Sequence, residues 1–276
     1  MRRLFATFGA IGILGLALGG WGYRTARLDP AVRHAQHELP GYNGQPLTAL
    51  LISDIHVAGP DMPPERLARI VRQINRLRPD LVLIAGDFIG DKPVATATYP
   101  MLEAMAPLAG LQPRLGTFAV LGNHDHWRSA GEAAAALKKA GVRLLTNDAA
   151  RAGPLAIGGL DDDYTGHADL SRTVARQRDI GGIPILLSHS PDPFASLPAG
   201  PALMLAGHTH CGQIRLPMLG ALATMSDHGN RYACGVVREK GRMLIVGAGV
   251  GTSILPIRLG AVPDMWLIRL VQPRGT

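Results

Sequence analysis

Five short apolar runs punctuate the chain, and each one ends in a polar cluster. "TALLIS" (48–53) leads into Asp54-Ile55-His56, "LVLIA" (81–85) into Gly86-Asp87, and "FAVL" (118–121) into Gly122-Asn123-His124-Asp125. "ILLS" (185–188) is followed by His189, and "LMLA" (203–206) by Gly207-His208-Thr209-His210. Runs this short, with no polar residue in alternation, predict strands buried on both faces with helices between them. The intervening "PPERLARIVRQINRLRP" (63–79) has helical periodicity. It gathers Leu67, Ile70, Val71, Ile74 and Leu77 on one face and leaves Arg66, Arg69, Arg72 and Arg76 off it. The pattern predicts an α/β domain. In open α/β sheets ligands bind beyond the carboxyl ends of strands, so five polar endings at one edge imply convergence on one site.

The first residues follow another pattern. After Arg2 and Arg3 no charge occurs from Leu4 to Trp21, 18 residues, which a helix extends to about 27 Å, near the thickness of a bilayer core. Residues 1–21 are therefore expected to be an N-terminal membrane helix, with a twin-arginine-like export signal as the alternative reading of Arg-Arg-x-Phe. No convincing small-x-small cleavage site follows, which favours an uncleaved anchor. Residues 22–46, broken by Pro30, Pro40, Gly41, Gly44 and Pro46, read as a polar linker, and residues 47–272 as one domain. Arg24, Arg27 and Arg33 behind the segment balance Arg2 and Arg3 before it. The twin-arginine pattern then tips the domain toward the outer face of the membrane.

A 276-residue chain with 47% hydrophobic and 18% charged residues has the composition of a globular protein with a sizeable core. Its net charge of +7 suits an anionic partner, whether a phosphate ester, a lipid headgroup surface or nucleic acid. Aromatic residues make up only 5%. Strand-stacking surfaces need more than that, so a nuclease role is not expected. Two cysteines, Cys211 and Cys234, are too few for a disulfide framework.

The polar endings collect Asp54, His56, Asp87, Asn123, His189, His208 and His210. Imidazole and carboxylate without thiolate suit manganese, iron, zinc or cobalt. Seven donors are too many for one tetrahedral ion but fit two ions sharing a carboxylate. Paired ions about 3.5–4 Å apart form a clamp for in-line displacement at phosphorus.

The ordered set Asp-x-His, Gly-Asp, Gly-Asn-His-Asp, a lone His and Gly-His-x-His resembles the calcineurin-like metallophosphoesterases. The segments "GHTHCGQIRLP" and "GTSILPIRLG" are similar to a membrane-associated bacterial branch that includes UDP-2,3-diacylglucosamine pyrophosphatases of lipid A synthesis. The resemblance implies a two-sheet sandwich flanked by helices and two divalent ions, manganese first among them. It places Asp54, His56 and His210 on one ion, Asn123, His189 and His208 on the other, and Asp87 between both. His124 becomes the acid that protonates the leaving oxygen, Asp125 the residue that orients it, and a metal-bridging hydroxide the nucleophile. His126, Arg128 and Arg258 are candidate contacts to substrate phosphate. Where the branch carries glycine after the last histidine, this chain has Cys211. It is read as a small buried cysteine, with an extra metal ligand or an oxidisable thiol as the alternatives.

The expected activity is hydrolysis of phosphodiester or pyrophosphate bonds at a bacterial inner membrane, with UDP-2,3-diacylglucosamine as the specific lipid-linked candidate. An exported phosphodiesterase or phosphomonoesterase would use the same residues. A non-catalytic metal-binding scaffold would have lost His124 or a ligand, and this chain retains them all.

Overall fold

The computed structural model describes residues 2–197, 203–216 and 218–273. Helix α1 (Arg2–Ala26) leads into strand β1 (Ala31–Glu38), and then β2 (Leu47–Ser53), α2 (Pro64–Leu77), β3 (Leu81–Ala85), α3 (Met101–Met105), β4 (Thr117–Val120), α4 (Asn123–Lys139) and β5 (Arg143–Leu144). The second half comprises β6 (Asp148–Ala152), β7 (Leu155–Gly159), α5 (Leu170–Ile180), β8 (Ile183–Leu187) and β9 (Leu203–Ala206). A small hairpin, β10 (Arg215–Leu216) and β11 (Gly220–Ala221), precedes β12 (Gly235–Glu239), β13 (Arg242–Val246) and β14 (Asp264–Val271). Two six-stranded sheets result, ordered β1-β14-β2-β3-β4-β5 and β12-β13-β9-β8-β7-β6. They are the expected α/β sandwich.

The apolar runs are continuous because both faces of these strands are covered. Leu50 and Ile52 of β2, with Val82 and Ile84 of β3, face helices and pack on Leu67, Ile70 and Ile74 of α2. Their alternates Ala49, Leu51, Leu83 and Ala85 face the other sheet and meet Ile157, Ile185, Leu187, Leu205 and Ile245. Outside the second sheet, Leu186, Met204, Leu244 and Val246 are covered by Phe194 and Tyr232. Strands β2, β3 and β4 run parallel, as do β8, β9 and β13, so their carboxyl ends can share an edge.

Three expectations need correction. The polar linker contains β1, which pairs in parallel with β14 at the edge of the first sheet and alternates half-buried and exposed positions. Arg66, expected to lie off the apolar face of the helix, is not turned to solvent. It is buried and donates to the carbonyls of Asp61, Val250 and Leu28, so α2 is fastened through it to the start of the domain. The third concerns the membrane helix. Residues 2–26 are helical, yet among the described residues no helix is long and apolar enough to cross a membrane. Gly9, Gly12, Gly15, Gly19 and Gly20 dilute the hydropathy of the uncharged stretch; Met1 lies outside the described residues. The carboxyl end of α1 is part of the domain: Ala26 is buried, and Arg258 N–H donates to Gly22 O at 2.9 Å.

Leu187 is fully buried between the sheets, immediately before the polar cluster at 188–190. Leu187→Ala is expected to lower unfolding free energy by about 2–5 kcal/mol through the cavity it leaves. Denaturant unfolding measures this, and a loss under about 0.5 kcal/mol would contradict a packed sheet–sheet core.

Candidate metal centre

Every one of the seven predicted donors stands just beyond a strand end, and all are buried. Asp54, His56 and His210 offer ligand atoms within 4.8 Å of one another, as do Asp87, His189 and His208. Asp87 Oδ2 joins the two groups, lying 3.4 Å from His56 Nε2 and 3.3 Å from His189 Nε2. Asn123 Oδ1 is 3.1 Å from His189 Nε2. The backbone bends sharply to bring them together. Asp54, His56, Asp87, His208 and His210 all adopt positive φ between 48° and 71°, the left-handed region that non-glycine residues seldom occupy outside constrained sites. A Cβ on Gly122 would strike the Asp87 carboxylate, and one on Gly207 would fall 2.6 Å from Asp54 Oδ2. These two positions need glycine for the approach itself.

The ring tautomers test whether the residues fit metal. His189 Nδ1 lies 2.8 Å from Ala85 O, and His208 Nε2 lies 2.9 Å from Met225 O. Carbonyls only accept, so those nitrogens carry the protons and the inner nitrogens present lone pairs. The two inner nitrogens, His189 Nε2 and His208 Nδ1, are 3.0 Å apart. Two lone pairs facing at that distance need a cation between them. Bonds of about 2.1 Å meeting near right angles give that ligand-to-ligand spacing. Without metal a proton substitutes: burial opposes a charge on His189, but the Asp87 carboxylate outweighs it and pushes the imidazole up to about 10. Burial drives His56 down to about 3 and His208 to about 4, leaving both neutral.

The expected catalytic pair is arranged differently. His124 Nδ1 is 2.6 Å from Asp91 Oδ1, and Asp91 is the carboxylate that orients it. Asp125 holds the backbone instead. Its carboxylate accepts from the N–H groups of Gly122, Asp87 and Phe88 at 2.9–3.0 Å, which locks the loop carrying Asp87 onto the start of α4. The His124 ring sits 4.7 Å from that of His56 at an interplanar angle of 85°. Burial opposes protonation of His124, yet the hydrogen bond to Asp91 and the charges of Asp87 and Asp91 carry its pKa above the usual histidine value.

The three substrate candidates lie elsewhere. His126 is bound to Asp161 at 2.8 Å and stacked on His167. Arg128 is exposed and absent from the lining of the cleft. Arg258 is wholly buried; it donates to the carbonyls of Ala248 and Gly251, both at 2.6 Å, and its Nη2 lies 3.3 Å from His210 Nδ1. Arg258 therefore positions the turn that bears His210. Cys211 is not a thiol at all, because it is disulfide-bonded to Cys234 with a Cα separation of 4.7 Å. The bridge anchors the residue after His210, which itself has a positive φ of 52°.

The profile of the family described as calcineurin-like phosphoesterase matches residues 47–212, and the chain belongs to that family. It is 32% identical over 287 residues to the uncharacterized metallophosphoesterase YkuE of Bacillus subtilis, covering 98% of this chain and 97% of that protein. It is 29% identical over 240 residues to the phosphodiesterase YaeI of Escherichia coli, covering 83% of this chain and 84% of that protein. It is also 32% identical over 245 residues to a Danio rerio transmembrane protein with metallophosphoesterase domain, covering 82% of this chain and 53% of that protein. The chain is thus a metal-dependent hydrolase of phosphoric esters.

Asp91→Asn is expected to retain bound metal, lower kcat about tenfold or more, and move the alkaline limb of the pH–rate profile to lower pH. The sign follows from the raised His124 pKa, since the acid form survives to higher pH only while Asp91 is charged. An unmoved alkaline limb would remove Asp91 from this role. Paired Cys211→Ser and Cys234→Ser changes open a bridge spanning 23 residues. They are expected to cost about 3 kcal/mol of stability and to weaken metal retention at the His210 site. Thermal unfolding and metal analysis, with and without reductant, measure both effects.

Proposed function

We propose that the chain is a two-metal phosphodiesterase whose domain works in an oxidising compartment. The observation that carries this reading is the facing pair of inner lone pairs on His189 and His208, in contact with a carboxylate that also faces His56. Asp54, His56, Asp87 and His210 would hold one ion, and Asp87, Asn123, His189 and His208 the second. Bound there, two divalent ions would acidify a water and offset charge on the phosphoryl oxygens. His124 Nδ1 is occupied by Asp91, so Nε2 is the atom that meets the leaving oxygen and gives it a proton.

The cleft supports a diester over a monoester. Among its described lining residues none is lysine or arginine. A dianionic monoester would find only the His124 imidazolium as a side-chain cation there, whereas a diester carries a single charge. The relative named a phosphodiesterase, YaeI, agrees with that preference. The Cys211–Cys234 disulfide supports an exported domain, because such bridges persist outside the reducing cytoplasm. UDP-2,3-diacylglucosamine, a precursor built in the cytoplasm, is therefore the weaker substrate reading.

The test loads the full chain with Mn²⁺ and compares bis-p-nitrophenyl phosphate, p-nitrophenyl phosphate and UDP-2,3-diacylglucosamine. Faster turnover of the diester is expected. Preference for the monoester would overturn the diester reading, and UMP release as the fastest reaction would restore the lipid A reading. His124→Ala should keep its metal and lose about 10²- to 10⁴-fold in kcat. Asp87→Asn should lose both activity and metal; full activity in that variant would remove the shared carboxylate.

A further inference from the structure

The cleft that holds the metal donors has two unlike kinds of lining. It has a volume of about 370 Å³. Asp87, Asn123, His124, His208 and His210 line it together with the apolar Ile214, Leu222, Met225, Ile254 and Leu255. A phosphodiester of two small polar alcohols has no use for the apolar part of that lining. The apolar walls also continue outward. Leu222 is 60% exposed and Ile254 65%, and at the tip of the β10–β11 hairpin Met218 is fully exposed and Leu219 is 69% exposed. Contiguous exposed apolar surface of this kind marks a binding face.

The hairpin and the 253–256 loop form one built unit. Gln213 Nε2 donates to Leu255 O at 2.9 Å, while Ser253 N–H donates to Gln213 Oε1 at 3.0 Å. Arg215 N–H donates to Leu259 O at 2.8 Å. The next residues of that loop carry the end of α1, since a Cβ on Gly22 would touch Ile257 and Leu259. Ile13, Leu14 and Leu16 of α1 are exposed, and so are Arg24 and Arg27 near its carboxyl end. Exposed apolar side chains on the same helix as exposed arginines, in a chain of net charge +7, complement an anionic lipid surface. No helix among the described residues is long and apolar enough to cross a membrane, and the contact considered is one of docking.

We propose that the β10–β11 hairpin and the 253–256 loop seat the cleft on an anionic bilayer, and that its apolar lining receives the hydrocarbon part of an amphiphilic phosphodiester drawn from that surface. The substrate class is a glycerophospholipid-like diester, with its phosphate at the metal donors and an acyl chain along Ile214, Leu222 and Ile254. This rests on the phosphodiesterase reading above and adds the substrate's second half.

The experiment uses the full Mn²⁺-loaded chain and the double variant Met218→Glu/Leu219→Glu, whose side chains do not line the cleft. Co-sedimentation is measured with vesicles of phosphatidylcholine alone and of equal parts phosphatidylcholine and phosphatidylglycerol. Hydrolysis is followed on phosphatidylglycerol vesicles, on soluble glycerophosphoglycerol and on bis-p-nitrophenyl phosphate. The wild-type chain is expected to bind the anionic vesicles and to prefer the acylated diester over glycerophosphoglycerol. The variant should lose about tenfold or more in vesicle binding and in lipid hydrolysis, while bis-p-nitrophenyl phosphate turnover stays unchanged. Undiminished binding by the variant, or equal rates on acylated and deacylated diesters, overturns the proposal. So does a concentration-dependent dimer that the variant abolishes, which would make the face a protein interface. Absence of bis-p-nitrophenyl phosphate turnover by the wild type would instead strike the phosphodiesterase reading, with vesicle binding still reporting on the docking face.

Discussion

Two imidazole lone pairs held 3.0 Å apart, those of His189 Nε2 and His208 Nδ1, are the constraint on which the structure turns. They cannot relax, because backbone carbonyls fix the outer nitrogen of each ring. Buried carboxylates stand beside them, and the crowding shifts the protonation of the whole group. His189 is pushed up to about 10, while Asp54 is raised to about 6, chiefly by burial. Asp87 is held well below the ordinary carboxylate range, since the charges and hydrogen bond of its histidine neighbours outweigh its burial. A scaffold must hold so many buried polar groups at these distances.

The sandwich supplies that rigidity in layers. Strands packed on both faces cannot shift without opening a core, and cores are as dense as organic crystals. Beyond the strand ends, buried polar groups take over. Asp125 gathers the N–H groups around Asp87, and Arg258 gathers the carbonyls around His210. Val250 and Gly251, just past β13, donate to Ser53 O and Asp54 O and so pin the first ligand. A buried Lys92–Asp61–Thr252 network, with contacts of 2.5–3.0 Å, ties the loop after β3 to the same segment. That loop also carries Asp91, so the partner of His124 is anchored through the residue next to it. The strained left-handed residues persist because they are over-determined from several sides.

What was legible in the sequence follows from this division. Two-sided burial leaves unbroken apolar runs, so the five strands and the seven donors after them could be read directly. β1 was hidden because an edge strand with one exposed face carries Arg33, His34 and His37 and looks like linker. Arg66 was read only as lying off the apolar face and Arg258 as a contact to substrate, since sequence does not reveal that backbone carbonyls satisfy them. Asp91 gave no signal of its own: it stands 33 residues before His124 and meets it only when the two loops fold together. Asp125, adjacent to His124 in sequence, was the natural but wrong choice of partner. The Cys211–Cys234 pairing depends in the same way on a turn that no local pattern announces.

The strand-end donors fall within residues 47–212, the segment the family profile matches, and the apolar lining of the cleft comes from Ile214 onward. Chemistry at phosphorus is set by donors at strand ends, where the backbone is fixed by two sheets and tolerates little change. The apolar walls come from the 214–225 and 253–256 segments, which lie outside both sheets and are joined by side-chain and backbone contacts of their own. Loops of this kind can vary without disturbing the core that carries them. One site of this kind can therefore serve phosphoric esters of very different alcohols, and the loops outside the shared motifs are where the choice of alcohol can be set.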